Sequence, residues 1–374
     1  MALEFIGSDG ATLGVEVELQ LIDPETMDLT PRAQEVLMLS EQRGIMHVKA
    51  EVHQSMLEID TKVSADVKEC RSCLETTLTG LYGVVDDLGL LLSTSGTHPF
   101  QKWPERLIFP NTRYMMLQKK FRWLVKRMNV YGLHVHLGIS DGEKAIALSR
   151  AMFRFLPHLL ALSANSPFWQ GQDTGMQACR PSIMETFPTG GLPPYLENWA
   201  QFEHYYDTMT DAGAIKSPKD LYWYIRPNVE YGTIEFRICD AGNSINEVMA
   251  IVAFIQNLVE MVDRDPAKWK WDQKQHWIAP ENHWIAARDG LSGVIVAGGV
   301  KKQIAEEIYS LIEELAPIAR SLNNYDELLY LKHILKRGNG AMRQRELFKQ
   351  TRDLRDVVQM CAQECRASCS MIQT

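Results

Sequence analysis

No uninterrupted apolar run in this 374-residue sequence approaches the roughly 20 residues that a membrane helix needs. The opening MALEFIGSDG has neither a basic start nor an apolar stretch of secretory-signal type, so a cytoplasmic chain without a membrane partner is expected. Positive charge is short: 39 Lys and Arg stand against 47 Asp and Glu, a formal charge of −8. That balance argues against nucleic acid as a partner, but not against polyphosphates, because metal ions supply positive charge locally. The phosphate loop G-x-x-x-x-G-K-[ST] is absent. Seven cysteines, an odd number, do not suggest a disulfide framework. Cys70 and Cys73 form one C-x-x-C with no second ligand pair, and Cys361, Cys365 and Cys369 make a stripe along the last helix; packing is the expected role of both sets. Internal repeats and low-complexity linkers are also missing, so one domain is expected over residues 1–374.

What is present is a globular composition, 45% hydrophobic and 23% charged, with strands and helices interspersed. Alternation with period two marks a strand over 12–22, and Asp23-Pro24 marks a turn. Thr30-Pro31 starts a helix, and MHVKAEVHQSMLEIDT reads as a strand region broken near 52–54. A long helix is expected over 64–92, a short strand at 90–93, an amphipathic helix in NTRYMMLQKKFRWLVKRM and a strand in YGLHVHLGIS. A helix over 142–165 precedes a loop-rich stretch to Pro194, with a further helix near 196–210. LYWYIRPNVEYGTIEFRICDA reads as a hairpin turning at 230–232. The chain from 244 onward is mainly helical, with a Trp-rich loop at 266–284 and a Gly-rich basic turn in KRGNGAMRQRE. The hairpin and the alternating strands point to an α+β arrangement, an antiparallel sheet with helices to one side.

Four strands carry one design. Glu16, Glu18 and Gln20 oppose Val15, Val17, Leu19 and Leu21; Met56, Glu58 and Asp60 oppose Leu57 and Ile59. His134 and His136 oppose Leu133, Val135 and Leu137, and Thr233, Glu235 and Arg237 oppose Ile234, Phe236 and Ile238. Solvated strand faces usually mix Thr, Ser, Lys and Gln with their charges, whereas these four are rich in Glu, His, Asp and Arg and hold no lysine. A single E-x-E is more often a solvated strand than a site, and a single H-x-H is as readily a surface pair as a ligand pair. Converging, they are the ligands that Mg2+ or Mn2+ takes, with too many carboxylates for a zinc site.

Arginine supplies a fork that grips carboxylate or phosphate at two points. Arg180, Arg226 and Arg237 are candidates, the alternative for each being a structural ion pair. In KRGNGAMRQRE, Gly338 and Gly340 permit close backbone approach among Lys336, Arg337, Arg343 and Arg345. A solvated turn and a contact to nucleotide phosphates are both open there, the second making Arg343 a candidate.

GVEVELQLID, HQSMLEIDT, SGTHPF, GLHVHLGI, NSPFWQGQDTG, ETFPTGG and YIRPNVEYGTIEFRICD, in this order, resemble the glutamate–cysteine ligase type 2 family of carboxylate–amine ligases. The resemblance covers nearly the whole chain. It implies a glutamine-synthetase-like fold, an antiparallel sheet forming a funnel with helices packed behind it. It also implies ATP-dependent amide formation between a carboxylate and an amine, typically glutamate with cysteine, at a site using ATP and Mg2+ or Mn2+. Matched by motif, Glu16, Glu18, Glu58, His134, His136 and Glu235 resemble the metal positions. Glu51 resembles a metal or ATP-phosphate position, with Glu58 preferred to it as the ligand. Arg180, Arg226 and Arg237 resemble substrate contacts, Arg237 and Glu58 are the expected catalytic pair, and Arg343 of the Gly-rich turn is a candidate ATP contact. Small-molecule substrates are implied, and a homo-oligomer is compatible with the sequence. The rival expectation from the same Glu/His cluster is a metal-dependent hydrolase of amide or phosphate bonds.

Overall fold

The computed structural model describes residues 3–8 and 10–370. Its main sheet has seven strands: β1 (Leu13–Ile22), β2 (Val48–Ala50), β3 (Met56–Asp60), β4 (Leu91–Ser93), β5 (Gly132–Gly138), β6 (Ile225–Asn228) and β7 (Thr233–Asp240). They run in the order β6-β7-β5-β1-β3-β2, with β4 pairing with the far end of β1, and every pair is antiparallel. The N-terminal strand is therefore central. It pairs with β3 across residues 23–55, which hold a helix and β2, and with β5 across residues 23–131.

The period-two pattern sends Val15, Val17, Leu19 and Leu21 to one face, where all four are buried. Helices cover that face. Helix Val67–Asp87 begins where the Asp66 side chain accepts from Glu69 N at 2.8 Å, and it turns Cys70, Leu74, Leu78 and Leu81 inward. Helix Ile245–Arg264, capped by Ser244, is apolar almost all round and runs through the interior. This helix and the stretch Gly142–Ser163 are long and apolar enough to cross a membrane, but 89% and 83% of their apolar windows are buried inside the fold. Hydropathy here reports a core.

Several local expectations are corrected. Residues 142–165 form two helices, Gly142–Met152 and Leu156–Ser163, joined by a 3-10 turn with Pro157 in the first turn of the second. The helix at Thr112–Phe121 stops where Arg122 takes φ 55°, a left-handed conformation that no continuing helix admits. The first helix begins at Ala33, and the stretch after 166 contains a small hairpin, Phe168–Trp169 with Gln172–Asp173. The Trp-rich segment expected as a loop is largely the helix Gln273–Asp289, set by a reciprocal Asp272–Gln275 capping box and carrying Pro280 inside it. A second hairpin, Val294–Ala297 with Val300–Gln303, was not anticipated. Cys70, Cys73, Cys361 and Cys365 are free thiols, three of them buried, in keeping with packing; the Cys369 side chain lies outside the described residues.

Behind the sheet, Glu307 on helix Ile304–Ser321 meets buried His158 at 3.0 Å and Lys302 at 2.9 Å. Burial opposes ionisation of Glu307, but these hydrogen bonds outweigh it and hold its carboxyl at about 2. A depressed carboxyl stabilises the fold above its unfolded value of about 4.3 and loses that contribution as pH falls towards the folded one. Glu307→Gln should therefore lower the urea midpoint at pH 7 and have a smaller effect at pH 3, where the parent has already lost part of this contribution.

Candidate active site

The other face of the sheet lines a cavity of about 280 Å³. Strand register places its ionisable residues in rows. Arg226 on β6 stands opposite Glu235 on β7, which stands opposite His136 on β5. His134 stands opposite Glu16, and Glu16 opposite Asp60; Glu18 stands opposite Glu58, and Glu58 opposite Lys49 on β2. Lys49, two residues before Glu51, is the lysine that the four-strand pattern lacked, and it contacts Asp60 and approaches Glu58 to 3.8 Å.

Within these rows three sets of side chains bring their ligand atoms within 4.8 Å of one another: Glu16, His136 and Glu235; Glu16, Glu58 and His134; Glu18, Glu51 and Glu58. All the residues expected as metal ligands are thus gathered, with Glu16 and Glu58 each shared by two sets. The crowding of carboxylates makes this face electrostatically favourable to positive charge. Burial, and after it the neighbouring carboxylates led by Glu16, pushes the Glu58 carboxyl well up; burial and Glu18 push Glu51 up to about 7. His134 and His136 each bury Nε2 without a hydrogen-bond partner among the described residues. Orphaned imidazole nitrogens beside crowded carboxylates fit a divalent cation, and the oxygen-rich donor set suits Mg2+ or Mn2+.

The opposite end of the face is held by cations of its own. Burial alone would raise Glu235, but Arg226 and Arg237 outweigh it and keep the carboxyl well below its ordinary range. Arg226 Nε reaches Glu235 at 2.9 Å, Arg237 Nη1 contacts the other oxygen, and Asn228 donates at 3.2 Å. Glu16 lies within hydrogen-bond distance of His134 Nδ1 at 3.0 Å and 3.7 Å from His136 Nε2, and these two rings carry its carboxyl well below its usual value despite burial.

The arginines divide. Arg237 opens into the cavity. Arg226 lines it, but its Nη1 is committed to the carbonyls of Leu221 (2.7 Å) and Pro218 (3.1 Å) besides the Glu235 pair, so it holds Glu235 instead of presenting a free fork. Arg180 lines the wall and donates to the carbonyls of Arg237 at 3.3 Å and Ile238 at 3.4 Å. Arg343 is a correction: it lies outside the cavity, bound to Glu247 at 2.8 Å, Glu364 at 2.9 Å and the Gly338 carbonyl at 2.9 Å. Its Gly-rich turn joins two helices, and Gly340 is small because a Cβ there would lie 1.9 Å from Asn165 Oδ1.

Sequence reasoning missed Lys49, Arg113, Tyr114 and Asn228 as lining residues. Arg113 and Tyr114 come from the first turn of a helix fixed by Asn111, whose side chain accepts from both amides, and Tyr114 is held by the Ala50 carbonyl at 3.0 Å. The cap was visible in NTRY; the helix's placement over the sheet was not. Gly132 has a close-approach role: its N–H donates to Glu18, and a Cβ would lie 2.2 Å from Arg180 Nη2. Gly132→Ala should destabilise by about 1–3 kcal/mol through overpacking, read as a lower urea midpoint.

Residues 12–363 match the model of Glutamate-cysteine ligase family 2. A Gloeobacter violaceus relative that bears the provisional name glutamate–cysteine ligase 2 is 39% identical over 364 residues, covering 96% of this chain and 98% of its own. Among solved structures, the glutamate–cysteine ligase of Francisella tularensis in complex with AMP superposes with a TM-score of 0.68 at 11% identity, over 99% of this chain and 92% of that one. A bifunctional glutathione synthetase from Pasteurella multocida superposes with a TM-score of 0.69 at 13% identity, over 96% and 52%. The α+β fold expected from the resemblance, an antiparallel sheet with helices packed behind it, is the fold found.

Proposed function

This chain belongs to glutamate–cysteine ligase family 2, and on that premise we infer an ATP-dependent carboxylate–amine ligase that works through an acyl phosphate. The observation that carries the reading is the trio of interlocking donor sets beside Arg237 on one sheet face. A carboxylate is a poor electrophile, being anionic and without a leaving group. Transfer of the γ-phosphoryl group from ATP to one of its oxygens gives a mixed anhydride and ADP. An amine then attacks the carbonyl carbon, its proton is lost, and phosphate departs with the electron pair of the broken C–O bond. Both steps crowd anionic oxygens together, so stabilisation is a matter of fixed positive charge.

In this proposal Glu16, Glu18, Glu58, His134, His136 and Glu235, with Glu51 beside them, hold the divalent cations. Such ions, when bound, neutralise phosphate oxygens and draw charge off the transferring group. Arg237 offers its guanidinium to the oxygens that gain charge, while Arg226 and Asn228 keep Glu235 ionised and fixed. Glu58 and Arg237, from opposite ends of the sheet face, are the proposed catalytic pair. Helices shield the sheet's other face, so substrates enter from the cavity side. Amino acids and amines are the substrate class, in a cytoplasmic enzyme with one catalytic domain over the whole chain.

The test is ADP release from purified protein with Mg2+ and ATP across a panel of amino-acid pairs, with and without glutamate and cysteine. ADP that appears only with a carboxylate–amine pair supports the ligase and names its substrates. Amide or phosphate-ester hydrolysis without ATP, and no stimulation by any pair, would replace it with a hydrolase.

A further inference from the structure

Resting on the ligase reading and its use of Arg237, we propose that Arg180 and Asp240 are positioning residues that aim Arg237, instead of contacts to substrate. The observation is an irregularity in β7. Phe236 pairs with Val135 and Cys239 with Leu133, so Arg237 and Ile238 together oppose the single residue His134. A bulge of this kind leaves backbone groups outside the ladder and reverses the strand's parity. Cys239 accordingly falls on the helix side, with Sγ 4.0 Å from the Leu159 carbonyl, while Asp240 turns towards Asn165 and Ser166.

The carbonyls of the two bulged residues are the ones that Arg180 takes. Nη1 donates to both and Nη2 to that of Arg237 at 3.3 Å. With 4% of its surface exposed, Nη1 and Nη2 engaged in this way and Nε buried without a partner among the described residues, Arg180 presents no free fork to a ligand. Its own place is set from behind. Ser166 Oγ accepts from the Arg180 amide at 3.2 Å and donates to Asp240 Oδ2 at 2.7 Å, and Asn165 N donates to the same oxygen at 2.9 Å. Asp240 Oδ1 is buried without a hydrogen-bond partner among the described residues; burial pushes its carboxyl up to about 6, and the Arg180 guanidinium is the charge that pulls the other way. One connected path therefore runs from Asp240 through Ser166 to Arg180 and on to the backbone that carries Arg237.

A double-mutant cycle tests this. Arg180→Ala should lower kcat about a hundredfold with KM within about twofold, the size of effect expected when a catalytic group is misplaced by an ångström. In an Arg237→Ala background the same change should cost less than about twofold, because its route of action is gone. Asp240→Asn and the milder Ser166→Ala should follow the same pattern, and circular dichroism would establish that each variant is folded. The arginine Nε–H resonance of Arg237, identified by its loss in Arg237→Lys, gives a readout that needs no turnover: it should shift in Ser166→Ala and Asp240→Asn. Additive losses in the cycle, or a rise in KM with kcat preserved, would make Arg180 a substrate contact and overturn the proposal. An unmoved Arg237 resonance in folded variants would also overturn it. Failure of the parent to form ADP with any pair would instead count against the ligase reading, and the resonance would still decide the positioning.

Discussion

Urea unfolding of Glu235→Gln is expected to show a loss of about 3–5 kcal/mol relative to the parent, the range for removing one partner from a buried ion pair. Glu235 is 1% exposed and serves two guanidinium groups, one of them buried at 7% exposure. Glutamine keeps the shape and can still accept, but it leaves Arg226 with a buried charge and no opposite one. The carboxyl is held well below its ordinary range by these two arginines, so the linkage has the same sign: its stabilisation is present at neutral pH and is lost on acidification towards the folded value. The variant should therefore approach the parent in stability as pH falls. An unchanged free energy at pH 7 would mean that Arg226 is satisfied by the carbonyls of Pro218 and Leu221 alone.

The second large effect is on turnover. Glu16→Gln should reduce ADP formation by about 10²–10³ while leaving the unfolding free energy within about 1 kcal/mol of the parent. Glu16 belongs to two of the three donor sets, so one substitution weakens both. Stability should hardly move because two changes oppose each other: the contacts to His134 and His136 are weakened, but a charge that crowds Glu58 is lost. Mn2+ titration followed by electron paramagnetic resonance reads the metal side directly, and weaker binding is expected, since a neutral amide is a poorer ligand for a hard cation. If the variant bound Mn2+ and ATP like the parent, the cation assignment would be wrong.

What was legible in the chain, and what was not, follows the range of the interactions involved. Alternation in GVEVELQLID declares which side of β1 is apolar, because a strand's faces are decided by adjacent residues. The gathering of Glu16, Glu58, His134 and Glu235 could be expected because each strand showed the same design. Arg343 could not be placed that way. A basic Gly-rich turn looks the same in sequence whether its arginine faces phosphate or a pair of distant carboxylates, and Glu247 and Glu364 decide the matter from other helices. The roles of Arg180 and Arg226 were hidden for a related reason. Their partners are mostly carbonyl oxygens, which every residue has and no sequence pattern displays. Helix Gln273–Asp289 was masked by Pro280 and its tryptophans, although Asp272 and Gln275 carried a readable start signal.

The central position of β1 has a consequence for how the protein is made. His134, the cross-strand neighbour of Glu16, lies 118 residues further along the chain, so at about 5–20 residues per second the ribosome delivers it roughly 6 to 24 seconds later. Until then one long edge of the nascent strand is unpaired, a template on which other nascent chains could assemble. Glu16 and Glu18 stand on that edge, and adjacent negative charges repel a like strand that tries to pair in register. On the proposed function, the carboxylates that would gather cations in the finished enzyme are expected to serve earlier as gatekeepers against aggregation on the ribosome.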